Sequence, residues 1–167
     1  MYKGLGFRFT FGIIICLLIV KDYSLFNASF QGAKIPHNRG PLPNRCQDAK
    51  IIAQFQCYGF ENFEISSKQP DNCVVIHGEI YVVRNIFQTK SDNFQIGVNK
   101  FLTKKDYYQS PMPSTALGIC QVTDLSDELQ LYDIENVESK CLLLPIFGTG
   151  EFVALPMVHL IGELKSN

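Results

Sequence analysis

The stretch "CVVIHGEIYVVR", residues 73–84, constrains the fold more than any other part of the chain. Val74, Ile76, Gly78, Ile80 and Val82 fall on one side of a two-residue period, and Val75, His77, Glu79, Tyr81 and Val83 on the other. Side chains alternate across a β-sheet with that period, and β-branched and aromatic residues suit its pleated surface. The reading is one half-buried strand, kinked at Gly78. "FQIGVNK" repeats the pattern with Phe94, Ile96 and Val98 inward, and Phe101 falls out of phase, which marks a bulge or the strand's end. "NFEISS" alternates in the same way, and "QTKSDN" supplies a polar hairpin-type connection.

The rest of the chain adds short elements. "YYQSPMPSTALGIC" holds two prolines within three residues and reads as irregular. "TDLSDELQLY" reads as the one helix: Thr123 or Asp124 caps it, Asp127 and Glu128 sit near its positive end, and Leu125, Leu129 and Tyr132 share a face. "CLLLPIFGTGEFVALPMVHLIGELKSN" breaks into short apolar runs divided by Gly and Pro, as strands and tight turns do. The fold class is mainly β, an antiparallel β-sandwich with one short helix.

The N-terminus carries a different signal. Lys3 and Arg8 precede the apolar run "FTFGIIICLLIV", residues 9–20. As a helix it would rise about 18 Å, short of the roughly 30 Å hydrocarbon core. A basic segment before an apolar run of this length has the form of a secretory signal. The expected division is a signal peptide over 1–29, a Pro/Gly-rich, extended and poorly ordered lead-in over 30–45 and one domain over 46–167. An uncleaved anchor is the alternative for residues 9–20. Export to a secreted or endolysosomal lumen places the cysteines in an oxidising compartment, where most should pair. Cys16 leaves with the signal, so Cys46, Cys57, Cys73, Cys120 and Cys141 remain, an odd number. Asn27-Ala28-Ser29 is the one N-x-[ST] sequon.

Composition excludes several function classes. A net charge of −1 and a pI near 6.3 give no clustered basic face for nucleic acid. An apolar content of 46% supports a packed core rather than disorder. No C-x-x-C pair, H-E-x-x-H, G-x-S-x-G or phosphate-cradling glycine loop occurs, so neither a metal site, a cofactor nor an enzyme is expected. His77 beside Glu79 reads as a solvated pair rather than a general base. Lys100, Lys104 and Lys105 with Tyr107 and Tyr108 read as an exposed turn rather than a headgroup site.

Two segments together carry a family resemblance. In "ALGICQVTDLSDELQLY", Gly118, Cys120, Asp124 and Leu125 fit a Gly-x-Cys followed by an aspartate-leucine pair. In "CLLLPIFGTGEFVALP", Cys141, Pro145, Phe147, Gly150 and Phe152 fit a cysteine, then proline and phenylalanine, then a strand start. Over roughly residues 61–156 the chain resembles the ganglioside GM2 activator-like, ML lipid-recognition family. It departs from that family in having fewer cysteines and a shorter C-terminus.

The resemblance implies a cup-shaped, immunoglobulin-like sandwich that holds acyl chains between two sheets, without catalysis. It also implies a Cys120–Cys141 disulfide. Its partners would be a lipid (glycolipid, phospholipid or sterol), a membrane surface, and a hydrolase or receptor. Ile76, Ile80, Val82, Phe94, Ile96 and Val98 would line such a cavity, with Leu143 and Phe147 near its mouth. The same side chains would equally make an ordinary filled core. That alternative corresponds to an exported β-sandwich that binds another protein through its loops.

Overall fold

The computed structural model describes residues 31–42 and 51–157. The expected signal segment, the Asn27 sequon, Cys16, Cys46 and residues 158–167 lie outside the described residues. The strands are β1 (Gly32–His37), β2 (Ile51–Gly59), β3 (Glu64–Ser66), β4 (Cys73–Ile76) and β5 (Glu79–Thr89). They continue as β6 (Phe94–Asp106), β7 (Cys120–Leu125), β8 (Gln130–Asp133), β9 (Val137–Pro145) and β10 (Phe152–Pro156). The expectation of a mainly antiparallel β-protein holds.

All ten strands belong to one sheet, in the order β1-β2-β5-β4-β9-β10-β7-β6-β8, with β3 added beside β2. One further ladder, β5 to β6, joins two strands that are distant in that order and closes β5-β4-β9-β10-β7-β6 into a ring. The long hairpin of β5 and β6 then runs on beyond the ring. There β2 flanks its β5 side, from Ile51↔Thr89 to Phe55↔Ile86, and β8 flanks its β6 side, from Gln95↔Asp133 to Val98↔Gln130.

Two apolar clusters follow from this path. One takes residues from every ring strand: Cys73 and Val75, Ile80 and Val82, Phe101, Cys120 and Val122, Cys141 and Leu143, and Phe152 and Ala154. A cluster fed by all six strands of a closed ring is its interior. The other lies against the opposite face of β4, β5 and β6. It joins Val74, Ile76, Tyr81, Val83, Ile86, Ile96 and Val98 to Ile65, Ile134 and Val137, under a cover of Phe55, Tyr58, Phe60, Phe63, Phe94 and Tyr132. The layers expected of a sandwich are thus two cores on the two faces of one continuous sheet.

Four sequence expectations need correction. Residues 73–84 are two strands, because Ile76 pairs with Glu79 across a two-residue turn. His77 has φ 50° and Gly78 φ 71°, the left-handed pair that a type I′ hairpin demands. Phe101 does not end its strand: β6 continues to Asp106, and the change of phase takes the chain from one core to the other. The lead-in is partly structured, since Gly32–His37 pairs with β2, and its Pro36 sits in a strand that ends the sheet path, where a missing N–H is tolerated.

The helix expected over residues 123–132 is absent. Its first part belongs to β7, which hydrogen-bonds to β6 and β10, and its last to β8. A helix of ten residues is marginal alone, whereas pairing buries Val122 completely and lets Leu125 and Tyr132 serve different cores. Helical geometry is limited, among the described residues, to 3-10 turns at Ser114–Leu117 and Ile134–Asn136. The polar connection after β5 is as expected: Asp92 adopts φ 63°, and the Thr89 N–H donates to the Asn93 carbonyl at 2.9 Å.

Two polar side chains brace the architecture. Asn85, fully buried beside the β5 bulge, donates through Nδ2 to the Pro41 carbonyl at 3.2 Å and to Gln54 Oε1 at 2.7 Å. Its Oδ1 accepts from the Ile86 N–H at 2.9 Å, so the amide ties the lead-in to the hairpin. Lys140 on β9 is buried and forms an ion pair with Asp71, ahead of β4. The Asp71 side chain is 36% exposed, so solvent screens the pair in part. Asp71→Ala is therefore expected to lower the unfolding free energy by about 1 kcal/mol, and Gly78→Ala, which forces a Cβ into the left-handed region, by about 1–2 kcal/mol. Urea denaturation followed by far-ultraviolet dichroism measures both, and a loss below about 0.5 kcal/mol for either would contradict the role given to that residue.

Candidate functional site

The β9–β10 hairpin places the most exposed apolar side chain of the described residues. Gly148 and Gly150 have φ 81° and 73°, with open space where a Cβ would stand. Local hydrogen bonds hold the tip: Ile146 N–H to the Glu151 carbonyl at 2.8 Å, and Thr149 Oγ1 to the Ile146 carbonyl at 3.0 Å. Thr149 Oγ1 also accepts from the Glu151 N–H at 3.1 Å. Phe147 stands on this frame with 103% of its surface exposed, and Leu144 beside it is also exposed. From Leu142 to Gly150 no residue carries a charge. The first charge after the tip, Glu151, pairs with Lys105 at 3.2 Å and accepts from the Gln121 side-chain amide. The turn role read for the two glycines is as the structure has it.

The side chains expected to line one cavity divide between the two cores. Ile76, Ile96 and Val98 are fully buried in the outer cluster, and Phe94 packs against it. Ile80 and Val82 lie in the ring interior at 4% exposure, and Leu143 packs there. Phe147 is in neither. Strand alternation explains the division: β4, β5 and β6 each bury both faces, so a single alternating set cannot identify one wall. Ile76 and Ile80 were read as one face of one strand, and the I′ turn between them separates their cores.

Cys73, Cys120 and Cys141 meet in the ring interior, an association invisible in their spacing. Among the described residues Cys57, Cys73, Cys120 and Cys141 are free and buried, so the expected Cys120–Cys141 bond is not formed in this structure. Cys73 is raised well above the usual thiol range by a hydrogen bond with the Cys141 thiol, by burial and by the charge of Cys141. Burial likewise raises Cys120, against the opposing pull of Lys104. Thiols of this kind stay protonated at neutral pH and make poor nucleophiles. No group of three or more His, Cys, Asp or Glu side chains among the described residues is arranged to hold a metal ion.

The lysine cluster is committed elsewhere. Lys100 and Lys104 meet Glu79 at 3.5 and 3.1 Å, and Lys104 also donates to the Gly78 carbonyl at 2.9 Å. His77 is not Glu79's partner; its ring faces Tyr132 edge-on at 6.0 Å. Tyr81 and Tyr132 share a hydroxyl contact of 3.0 Å, and burial followed by that contact raises the Tyr81 phenol.

Burial pushes the Glu79 carboxyl upward, but the hydrogen bonds and charges of Lys104 and Lys100 outweigh it and hold it below the ordinary carboxylate range. A depressed carboxylate stabilises the fold above its unfolded pKa of about 4.3, and that stabilisation disappears as pH falls through the folded value. Wild-type stability should therefore fall more steeply between about pH 5 and pH 3 than that of Glu79→Gln. The effect is small, because the side chain is 36% exposed and solvent screens the pairs. Denaturant midpoints across that range test it, and parallel pH profiles would refute it.

No curated protein and no solved structure matches the chain. Residues 36–157, which run from the end of β1 to just past β10, match the family described as Domain of unknown function (DUF8592). That span takes in the whole ring, the outer core and the exposed tip, and the chain belongs to this family.

Proposed function

We propose that this chain is an exported, non-enzymatic binding module whose β9–β10 tip docks on another protein. The observation that carries the reading is Phe147, fully exposed on a hydrogen-bonded hairpin tip that is uncharged from Leu142 to Gly150. Burying a phenylalanine is worth about 1.5–3 kcal/mol, so an exposed ring on a hydrogen-bonded tip is a ready anchor for a partner pocket. Support for a protein partner over an internal lipid comes from the division of the expected lining residues between two packed cores. The second reading, a lipid carrier of the ML type, rests on the sequence resemblance and on the same apolar tip set into a membrane surface.

Four measurements separate the readings. Organic extraction of the purified protein should yield no stoichiometric lipid, and phosphatidylcholine vesicles should not carry it upward in a flotation gradient. A photo-crosslinking residue at position 147 should give a discrete protein adduct in the secreting cells' medium, and one at Leu102, exposed on β6, should not. Phe147→Ser should abolish binding to the adduct partner identified this way and change stability by less than about 0.5 kcal/mol. Co-purified lipid, or flotation that depends on Phe147, would overturn the protein-partner reading in favour of the carrier.

A further inference from the structure

The three thiols of the ring interior are not equivalent. Cys73 and Cys141 stand directly opposite each other in the β4–β9 ladder. Opposed residues of an antiparallel pair have Cα atoms about 4.5–5.5 Å apart, inside the roughly 4.4–6.8 Å that a disulfide spans. Their side chains lie in the same core, thiol against thiol. Cys120 is placed differently. Ala154 is its partner on β10, and Ala154 is level with Leu143 on β9. Two strand spacings of about 4.8 Å each, with the two-residue step from Leu143 to Cys141, separate the Cys120 and Cys141 backbones. That exceeds the limit of about 7 Å for a bridge without backbone movement.

We infer that Cys73 and Cys141 are the pair that forms a disulfide, and that Cys120 and Cys57 remain thiols beside it. The oxidant is a small disulfide of the glutathione class. The Cys73 thiolate attacks one of its sulfurs, forming a mixed disulfide and expelling one glutathione thiolate. The Cys141 thiolate then attacks the Cys73 sulfur, forming the protein bond and expelling the second. One S–S bond breaks and one forms, and the two protons lost by the cysteines end on the two glutathione molecules. Both cysteines are fully buried once the ring closes, so the exchange belongs to the folding chain, while the thiols are still solvated. The bond would tie β4 to β9, one of the six ladders that close the ring. The inference stands on strand register, apart from what the hairpin tip binds.

The test is refolding of the reduced, denatured full chain in a mixture of reduced and oxidised glutathione. Remaining thiols are blocked with iodoacetamide after denaturation, and the unreduced digest is mapped by mass spectrometry. The expected result is a peptide pair linked through Cys73 and Cys141, with Cys57 and Cys120 alkylated. Cys120→Ala should keep that link at wild-type yield, and Cys141→Ala should leave Cys73 alkylated. The urea midpoint of the oxidised wild type should fall on reduction. A Cys120–Cys141 link, or alkylation of both Cys73 and Cys141 in the refolded protein, would overturn the inference. Should Cys141→Ala fail to fold, Cys120→Ala decides alone, because loss of the bridge in that variant gives Cys120 the partner role.

Discussion

The ladder between β5 and β6 holds the rest of the sheet in place. It runs from Tyr81↔Lys100 to Gln88↔Phe94, and it joins strands that would otherwise stand far apart in the order. Without it the chain would be an open sheet with its apolar faces uncovered. With it, six strands enclose the cluster around Cys73, Val82, Val122 and Cys141, and the overhanging hairpin offers a second apolar face for β2, β3 and β8 to cover. The shift between Val83 and Asn85 lies where the ladder passes from ring to overhang. A bulge bends a strand and increases its twist, and here the bulge sets Asn85 where its amide reaches Pro41 and Gln54.

Closure also settles how backbone polarity is satisfied. A strand inside the ring has partners on both sides, so the ring leaves few exposed edges for pairing with other chains. The path ends at β1 and β8. β1 carries Pro36 and a Lys34–Glu64 ion pair of 2.7 Å, and β8 has four residues. Short strands, charge and proline are the ordinary means of keeping an edge from recruiting another sheet.

The sequence made the strands legible and left their partners obscure. Alternation identified the β character of residues 73–84 and 94–100 because that signal is local. It failed at His77-Gly78, because a histidine in the left-handed region is uncommon and the dipeptide lacks the Asn-Gly stamp of a I′ turn. The segment "TDLSDELQLY" was misread too, because a capping residue and apolar side chains at Leu125, Leu129 and Tyr132 looked helical. Ring closure overrode that preference, since only an extended chain could supply β7 between β6 and β10. The lining residues of 73–84 and of 94–98 were each read as one face of a strand, and nothing in a two-residue period says which of two cores a face meets. The tip was partly legible: Gly148 and Gly150 announced a turn, but the full exposure of Phe147 depends on a hairpin that projects clear of both cores.

The thiols and the phenylalanine occupy opposite environments, one inside the ring and the other clear of it. Inside the ring, the hydrogen bond with Cys141 and burial raise the Cys73 thiol, and burial raises Cys120, which suppresses the reactivity of both. Outside it, Lys100, Lys104 and Lys105 are held by Glu79 and Glu151, so these three do not make an unopposed basic face. On the proposed reading, recognition falls to the apolar tip. Its backbone is hydrogen-bonded to itself, and pre-organisation of that kind would reduce the entropic cost of binding. On the same reading, the closed sheet holds the β9–β10 hairpin in place and the hairpin offers one exposed aromatic ring to a partner.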